Sequence, residues 1–144
     1  MRNRHILQDQ LLAALLFAFI LYAPMAFAAE KLSVRRAHEM AEADEILLVD
    51  IRTPKEWQET KIGASAVPIT MHNAQFLRNL QKAVGNDKSK PVALICATGG
   101  RSSWLQKELA RRGYSSIYDV AEGMLGSPAG PGWLKAGLPT KPYE

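Results

Sequence analysis

Cys96 is the one cysteine of the chain, and it stands where a thiol could react. Pro91-Val92-Ala93-Leu94-Ile95-Cys96 is an unbroken apolar run of strand type. Ala97-Thr98-Gly99-Gly100-Arg101 follows at once, and Ser102-Ser103-Trp104 then opens a helical pattern that runs to Arg112. Such a strand–loop–helix carries the cysteine to the carboxyl end of a buried strand, the edge at which open parallel sheets bind ligands. Two adjacent glycines permit a tight loop whose backbone N–H groups turn inward. The helix contributes its positive end, and Arg101 a guanidinium. All of these favour anionic sulfur: a free thiol titrates near about 8.5, and such surroundings bring it to about 3.5–7.5. The same cradle would hold a small oxyanion. The pattern predicts a thiolate nucleophile attacking an anionic substrate. Cys96 is its catalytic residue, and Arg101 orients the anion. Ala97, Thr98, Gly99, Gly100 and Ser102 bind through backbone N–H groups. A cysteine at a strand end is otherwise a core residue, but core packing requires neither a glycine loop nor a cation.

The elements that must position this loop read as alternating strands and helices. Glu45–Asp50 and Pro91–Cys96 are continuous apolar strands, Ser116–Val120 is another, and Ala66–Ile69 is a weaker one that Pro68 assigns to an edge or a strand start. None alternates polar with apolar, which suits strands buried on both faces. Ser33 caps a helix over Val34–Ala41, and Thr53-Pro54-Lys55-Glu56 reads as a capping box with proline at the first helical position. Asn73 caps a helix over Ala74–Val84 in which Phe76, Leu77, Leu80 and Val84 share a face. Gly113 stops the helix that follows the cysteine loop. Strands alternating with helices predict an α/β fold, a parallel sheet covered on both faces. The tail from Gly126 to Pro142, rich in Gly and Pro, is expected to wrap the surface. Trp57, Trp104 and Trp133 are read as packing, His38 as solvated, and His72 as close to the pocket.

Composition narrows the class. The 144 residues are 47% hydrophobic and 22% charged, a globular balance. The formal charge of +4 comes from dispersed Lys and Arg rather than a stripe, so no nucleic-acid partner is predicted. A single cysteine excludes an internal disulfide framework, and too few ligands converge for a metal site. Residues 1–28 form a secretory signal: Arg2 and Arg4 precede the uncharged run Leu11–Ala23, Pro24 breaks it, and Ala26-Phe27-Ala28 is a small-x-small processing site. Retained, the 19 uncharged residues Leu11–Ala29 would instead serve as a membrane anchor. Either way the remainder is exported, and the signal's bacterial form makes the compartment the periplasm. Residues 29–144 suffice for one domain, which buries about two thirds of its unfolded-chain surface.

Three segments, in order, resemble the rhodanese family of sulfurtransferases. Cys96-Ala97-Thr98-Gly99-Gly100-Arg101-Ser102 is similar to the family's active-site loop. Asp50-Ile51-Arg52-Thr53-Pro54-Lys55-Glu56-Trp57 resembles its D-x-R-x-x-x-E-[FW] segment. Val120-Ala121-Glu122-Gly123-Met124, with Trp133 beyond, resembles its L-x-G-G…W ending. The resemblance covers residues 31–139. It implies a three-layer rhodanese-like domain, with a central parallel sheet of about five strands and helices on both faces. It also implies sulfur transfer. Cys96 attacks the outer sulfur of a small anionic donor such as thiosulfate, sulfite leaves, and the resulting persulfide passes its sulfur to an external thiol, a protein acceptor or cyanide. No metal or organic cofactor is implied. A non-catalytic sulfur carrier or sensor is the alternative. From Cys96 to Arg101 is C-x4-R, one residue shorter than the loop of cysteine phosphatases, so the count speaks against a phosphate substrate. Three positions depart from the family pattern: Ala97 replaces a basic residue, Lys61 replaces a histidine, and Met124 replaces the second glycine of the ending. Asp50 and Arg52 are assigned structural support as an ion pair at a strand end.

Overall fold

The structure, a computed structural model, describes residues 30–144. The secretory signal expected over residues 1–28 lies outside the described residues. Five short strands form one parallel sheet: β1 (Lys31–Leu32), β2 (Leu47–Asp50), β4 (Val67–Pro68), β5 (Val92–Ile95) and β6 (Ile117–Val120), in the order β1-β6-β5-β2-β4. β5 is central, with Leu94 opposite Val49 of β2 and opposite Asp119 of β6. β4, the strand that contains Pro68, lies at the edge as expected, where a missing N–H costs no ladder bond.

Helices cover both faces: α1 (Val34–Glu42), α2 (Pro54–Thr60), α3 (Phe76–Ala83), α4 (Gly100–Arg111) and the short α5 (Gly132–Lys135). Two apolar clusters result. Val49, Val92, Leu94 and Cys96 pack with Phe76 and Leu80 of α3 and with Leu105 and Leu109 of α4. Leu48, Ala93 and Ile95 point the other way, towards Val34, Ala37 and Ala41 of α1 and Trp133 of α5. The period-two alternation of β5 thus feeds both layers. This is the three-layer α/β fold that the sequence pattern called for.

The local signals explain most element ends. Ser33 Oγ accepts from Arg36 N at 3.2 Å. The capping box is complete, with Glu56 N donating to Thr53 Oγ1 at 3.3 Å and Thr53 N donating to Glu56 Oε2 at 2.9 Å. Gly113, at φ +87°, closes α4: its N–H bonds Ala110 O at 3.0 Å while Tyr114 N reaches Leu109 O at 3.1 Å. α3 begins later than expected. Asn73 Oδ1 accepts from Gln75 N at 2.8 Å, a side-chain turn that precedes the helix rather than capping it. Leu77 is turned outward instead of sharing the face of Phe76 and Leu80.

The tail is more deeply built in than a surface wrap. Trp133 is fully buried, its Nε1–H donating to Pro139 O at 2.9 Å. β7 (Thr140–Lys141) pairs antiparallel with β3 (Ile62–Gly63) in a separate two-stranded sheet. Glu122, itself buried, accepts from Val34 N and from Gly132 N, each at 3.1 Å, and so joins the starts of α1 and α5. His38, expected in solvent, is half-buried because the tail folds over α1 and sets Trp133 edge-on to it at 5.5 Å.

Asp50 and Arg52 form the polar joint of the fold. Both are buried, at 0% and 1% exposure, and Arg52 Nη2 lies 2.8 Å from Asp50 Oδ2. Trp57 Nε1 donates to Asp50 Oδ1 at 2.9 Å, Arg52 Nη1 to Thr60 Oγ1 at 2.6 Å, and Arg52 Nη2 to Lys61 O at 2.7 Å. The pair fastens the end of β2 to the middle and the C-terminal end of α2. Breaking such a pair on one side strands a buried charge and costs about 3–5 kcal/mol. Arg52→Ala is therefore expected to lower the urea midpoint with the m-value unchanged, and Asp50→Asn in the same background to recover part of the loss.

Candidate active site

Cys96 follows β5 directly, and the loop to α4 curls back over it. Gly99 N donates to Cys96 Sγ at 3.1 Å, and Ser102 Oγ lies 3.5 Å from the same sulfur. Gly99 is the residue immediately before α4, so its amide brings the helix's positive end to the sulfur. The loop holds this shape because the turn after β6 packs beneath it. Met124 N donates to Cys96 O at 2.8 Å and Leu125 N to Ala97 O at 2.9 Å. The approach is too close for side chains: a Cβ on Gly99 (φ +87°) would stand 2.2 Å from Ala121 O, and one on Gly123 (φ +69°) 2.4 Å from Ala97 O. Gly123 is thus a required part of the loop's floor.

The exposure of the thiol departs from expectation. A thiol that attacks a substrate has to be reached from solvent, yet Cys96 is 1% exposed, because the residue ends a central strand and the loop closes on it. Cys96 belongs to the apolar cluster with Ile51 and Leu105, and its sulfur also lies against an amide and a hydroxyl. Thr98 and Gly100 are exposed and form the outer lip, and Ala97 is half-buried.

Arg101 does not stand free. Its Nη1 donates to Glu56 Oε2 at 3.0 Å and its Nη2 to Glu56 Oε1 at 2.5 Å, a two-pronged ion pair across 45 residues of sequence. The Arg101 hydrogen bonds are the main cause holding Glu56 down from 4.5 to about 2, helped by Thr53 against the opposing effect of burial. Arg101 is raised in turn, first by its bonds to Glu56. His72 approaches the pocket as expected, its Nε2 lying 3.5 Å from Arg101 Nη1.

Behind the sulfur stands a residue that sequence reasoning missed. Ser102 Oγ donates to Asp119 Oδ1 at 2.6 Å. Asp119 is 1% exposed, and burial pushes its carboxyl up against the lowering effect of the Ser102 bond. Ser102 therefore does more than begin a helix: it links Cys96 to a buried acid on β6. No spacing in the sequence signals Asp119, since β6 meets α4 only in the folded sheet. Glu56 carried a signal in the D-x-R-x-x-x-E segment, but its capping role fully explained it locally. Trp104, read as packing, is 57% exposed, because α4 buries Ser102, Leu105, Gln106 and Leu109, and position 104 falls off that face. Trp57 and Trp133 are buried.

Comparison with known proteins fits this arrangement. The sequence pattern of the family described as Rhodanese-like domain matches residues 33–126. The chain belongs to the rhodanese-like domain family, and with it to a group of sulfurtransferase type. It is 29% identical over 103 residues to a protein named "Sulfurtransferase" from Allochromatium vinosum, covering 72% of this chain and 85% of that one. The polysulfide-sulfur transferase homodimer of Wolinella succinogenes superposes with TM-score 0.56 at 27% identity, over 80% of each chain. The structure of Rv0390 from M. tuberculosis shares the fold, with TM-score 0.60 at 23% identity over 81% of this chain and 98% of that one.

The Glu56–Arg101 pair ties stability to pH. A carboxyl lowered on folding adds stability that is fully present above its unfolded value and lost as pH falls through its folded one. The difference in unfolding free energy between the protein and its Glu56→Gln variant is expected to hold above pH 4.5 and to shrink as pH falls towards about 2. Denaturant titrations across that range measure it.

Proposed function

We propose that the protein is a sulfurtransferase that moves a sulfane sulfur from a small donor, through a persulfide on Cys96, to an external acceptor. The observation that carries this reading is the Gly99 amide held 3.1 Å from Cys96 Sγ at the start of α4. A thiolate at that position receives a hydrogen bond and a helix end together, the surroundings that make cysteine nucleophilic. The count from Cys96 to Arg101, C-x4-R, is one residue shorter than the loop of cysteine phosphatases and so favours a sulfur over a phosphate substrate. The naming of the Wolinella relative as a polysulfide-sulfur transferase supports the same chemistry.

The reaction runs in two displacements. The Cys96 thiolate forms a bond to the outer sulfur of the donor, and the bond between the donor's two sulfurs breaks, its electron pair leaving with the inner group. With thiosulfate the leaving group is sulfite. The charge that stays on the terminal sulfur of the persulfide then lies against the loop amides, where preorganised donors stabilise it best. An acceptor thiolate or cyanide next attacks that terminal sulfur and returns the Cys96 thiolate. With no second cysteine in the chain, the acceptor must come from another molecule. The reading calls for no metal or cofactor, and it places the protein outside the cytoplasm because of the signal at residues 1–28.

Purified protein given thiosulfate and cyanide is expected to release sulfite and thiocyanate, and Cys96→Ser to reduce this to background. Mass spectrometry should find one added sulfur on Cys96 after donor alone. Stable loading without turnover in the presence of acceptor would instead support the carrier reading, and absence of loading with every donor would overturn both. N-terminal sequencing of protein exported by a bacterial host is expected to begin at Ala29; a start at Met1 in the membrane fraction would identify a retained anchor.

A further inference from the structure

Glu56 sits where it decides how much positive charge the site offers. Its carboxylate is fixed from its own helix: Oε2 accepts from Thr53 N at 2.9 Å and from Thr53 Oγ1 at 2.8 Å. From that fixed position it holds both terminal nitrogens of Arg101. Planar two-pronged pairs of this kind are the strong class of ion pair. The side chains are 30% and 27% exposed, so water only partly screens the pair. Arg101 is the one cationic side chain of the cysteine loop, and position 97, next to the nucleophile, is alanine. The loop's guanidinium is therefore cancelled by a carboxylate of the same chain before any substrate arrives. What the loop still offers an incoming anion is its other backbone N–H groups and the end of α4, worth about half a charge, the Gly99 amide being already bonded to Sγ.

That balance discriminates among sulfur donors. Thiosulfate brings two negative charges towards a thiolate that already carries one. An organic persulfide brings at most one, on the outer sulfur that is to be transferred. Its reaction balances without a further reagent: Sγ bonds the outer sulfur, the sulfur–sulfur bond of the donor breaks, the organic thiolate leaves with the electron pair, and the proton of the outer sulfur, where present, stays with the new persulfide. Resting on the sulfur-transfer reading above, we propose that Glu56 is a specificity-determining residue that neutralises Arg101 and directs the site towards organic persulfides and away from dianionic thiosulfate.

The test compares kcat/KM for thiosulfate and for glutathione persulfide in the protein and in Glu56→Gln. Glutamine at this position preserves the capping contact with Thr53 N while removing the charge. The protein itself is expected to prefer the persulfide. In Glu56→Gln the ratio of thiosulfate to persulfide efficiency is expected to rise by about tenfold, chiefly through a lower KM for thiosulfate, as an electrostatic change in binding requires. Glu56→Asp, which keeps the charge, is expected to stay on the side of the parent protein. A ratio that stays within about twofold of the parent in Glu56→Gln, with transfer intact, overturns the proposal alone, because a twofold change amounts to less than thermal energy. A parent protein that uses thiosulfate better than the persulfide overturns it too, and does so even if the variant fails to fold. Failure of both donors to load sulfur on Cys96 overturns the sulfur-transfer reading itself.

Discussion

Two backbone segments lie so close that neither tolerates a side chain, and the site exists because of it. The loop after β5 rests on the turn after β6, with Gly99 against Ala121 O and Gly123 against Ala97 O. Hydrogen bonds from Met124 N and Leu125 N to Cys96 O and Ala97 O clamp the two together. The contact leaves the loop little room except to curl towards the sulfur, which is how the Gly99 amide comes to point at Sγ. The adjacent parallel strands β5 and β6 deliver both segments to the same edge of the sheet. Loss of either glycine would thus reach the chemistry through the backbone.

A second layer of polar contacts joins the site to the frame. Asp50 and Arg52 tie β2 to α2, and α2 carries Glu56, which in turn holds Arg101 at the start of α4. The ion pair at the site is therefore positioned by a buried ion pair beneath it. On the opposite side, Ser102 connects the sulfur to Asp119 on β6. Glu56 and Asp119 are each bonded to a residue of α4, Arg101 and Ser102, rather than to the thiol. Buried polar groups in such networks are costly unless every member finds a partner, and here Asp50, Arg52, Ser102 and Asp119 each have one.

Family membership gives this geometry its general meaning, and the local departures give it a particular one. The rhodanese-like domain match and the sulfurtransferase relatives place the chain in its group. Within that frame the departure is Ala97, while Glu56 and Arg101, both at positions of the family pattern, pair with each other and leave the loop without a free guanidinium. Thiol burial has the same origin as the site's precision. Cys96 ends the central strand and is placed accurately because it is packed by the core.

Much of the frame could be read from the chain. Ser33, the Thr53–Glu56 box and Gly113 act through neighbours at most a few residues away, so their effects are local and legible. The apolar runs of β2 and β5 showed a sheet buried on both faces because no polar residue interrupts them before their ends, whereas β6 carries Asp119 within its run. The identity of Cys96 and its glycine loop was equally plain, since residue type and order suffice to describe them. Tertiary structure alone decided which charges meet. Glu56 reaches Arg101 across 45 residues, Ser102 reaches Asp119 across 17, and Glu122 reaches Val34 across 88. It also decided that Trp104 faces water and that Cys96 does not. Helical and strand periods report which side of an element is apolar, but the partner of a charge depends on where separate elements cross, and only the closed sheet sets that.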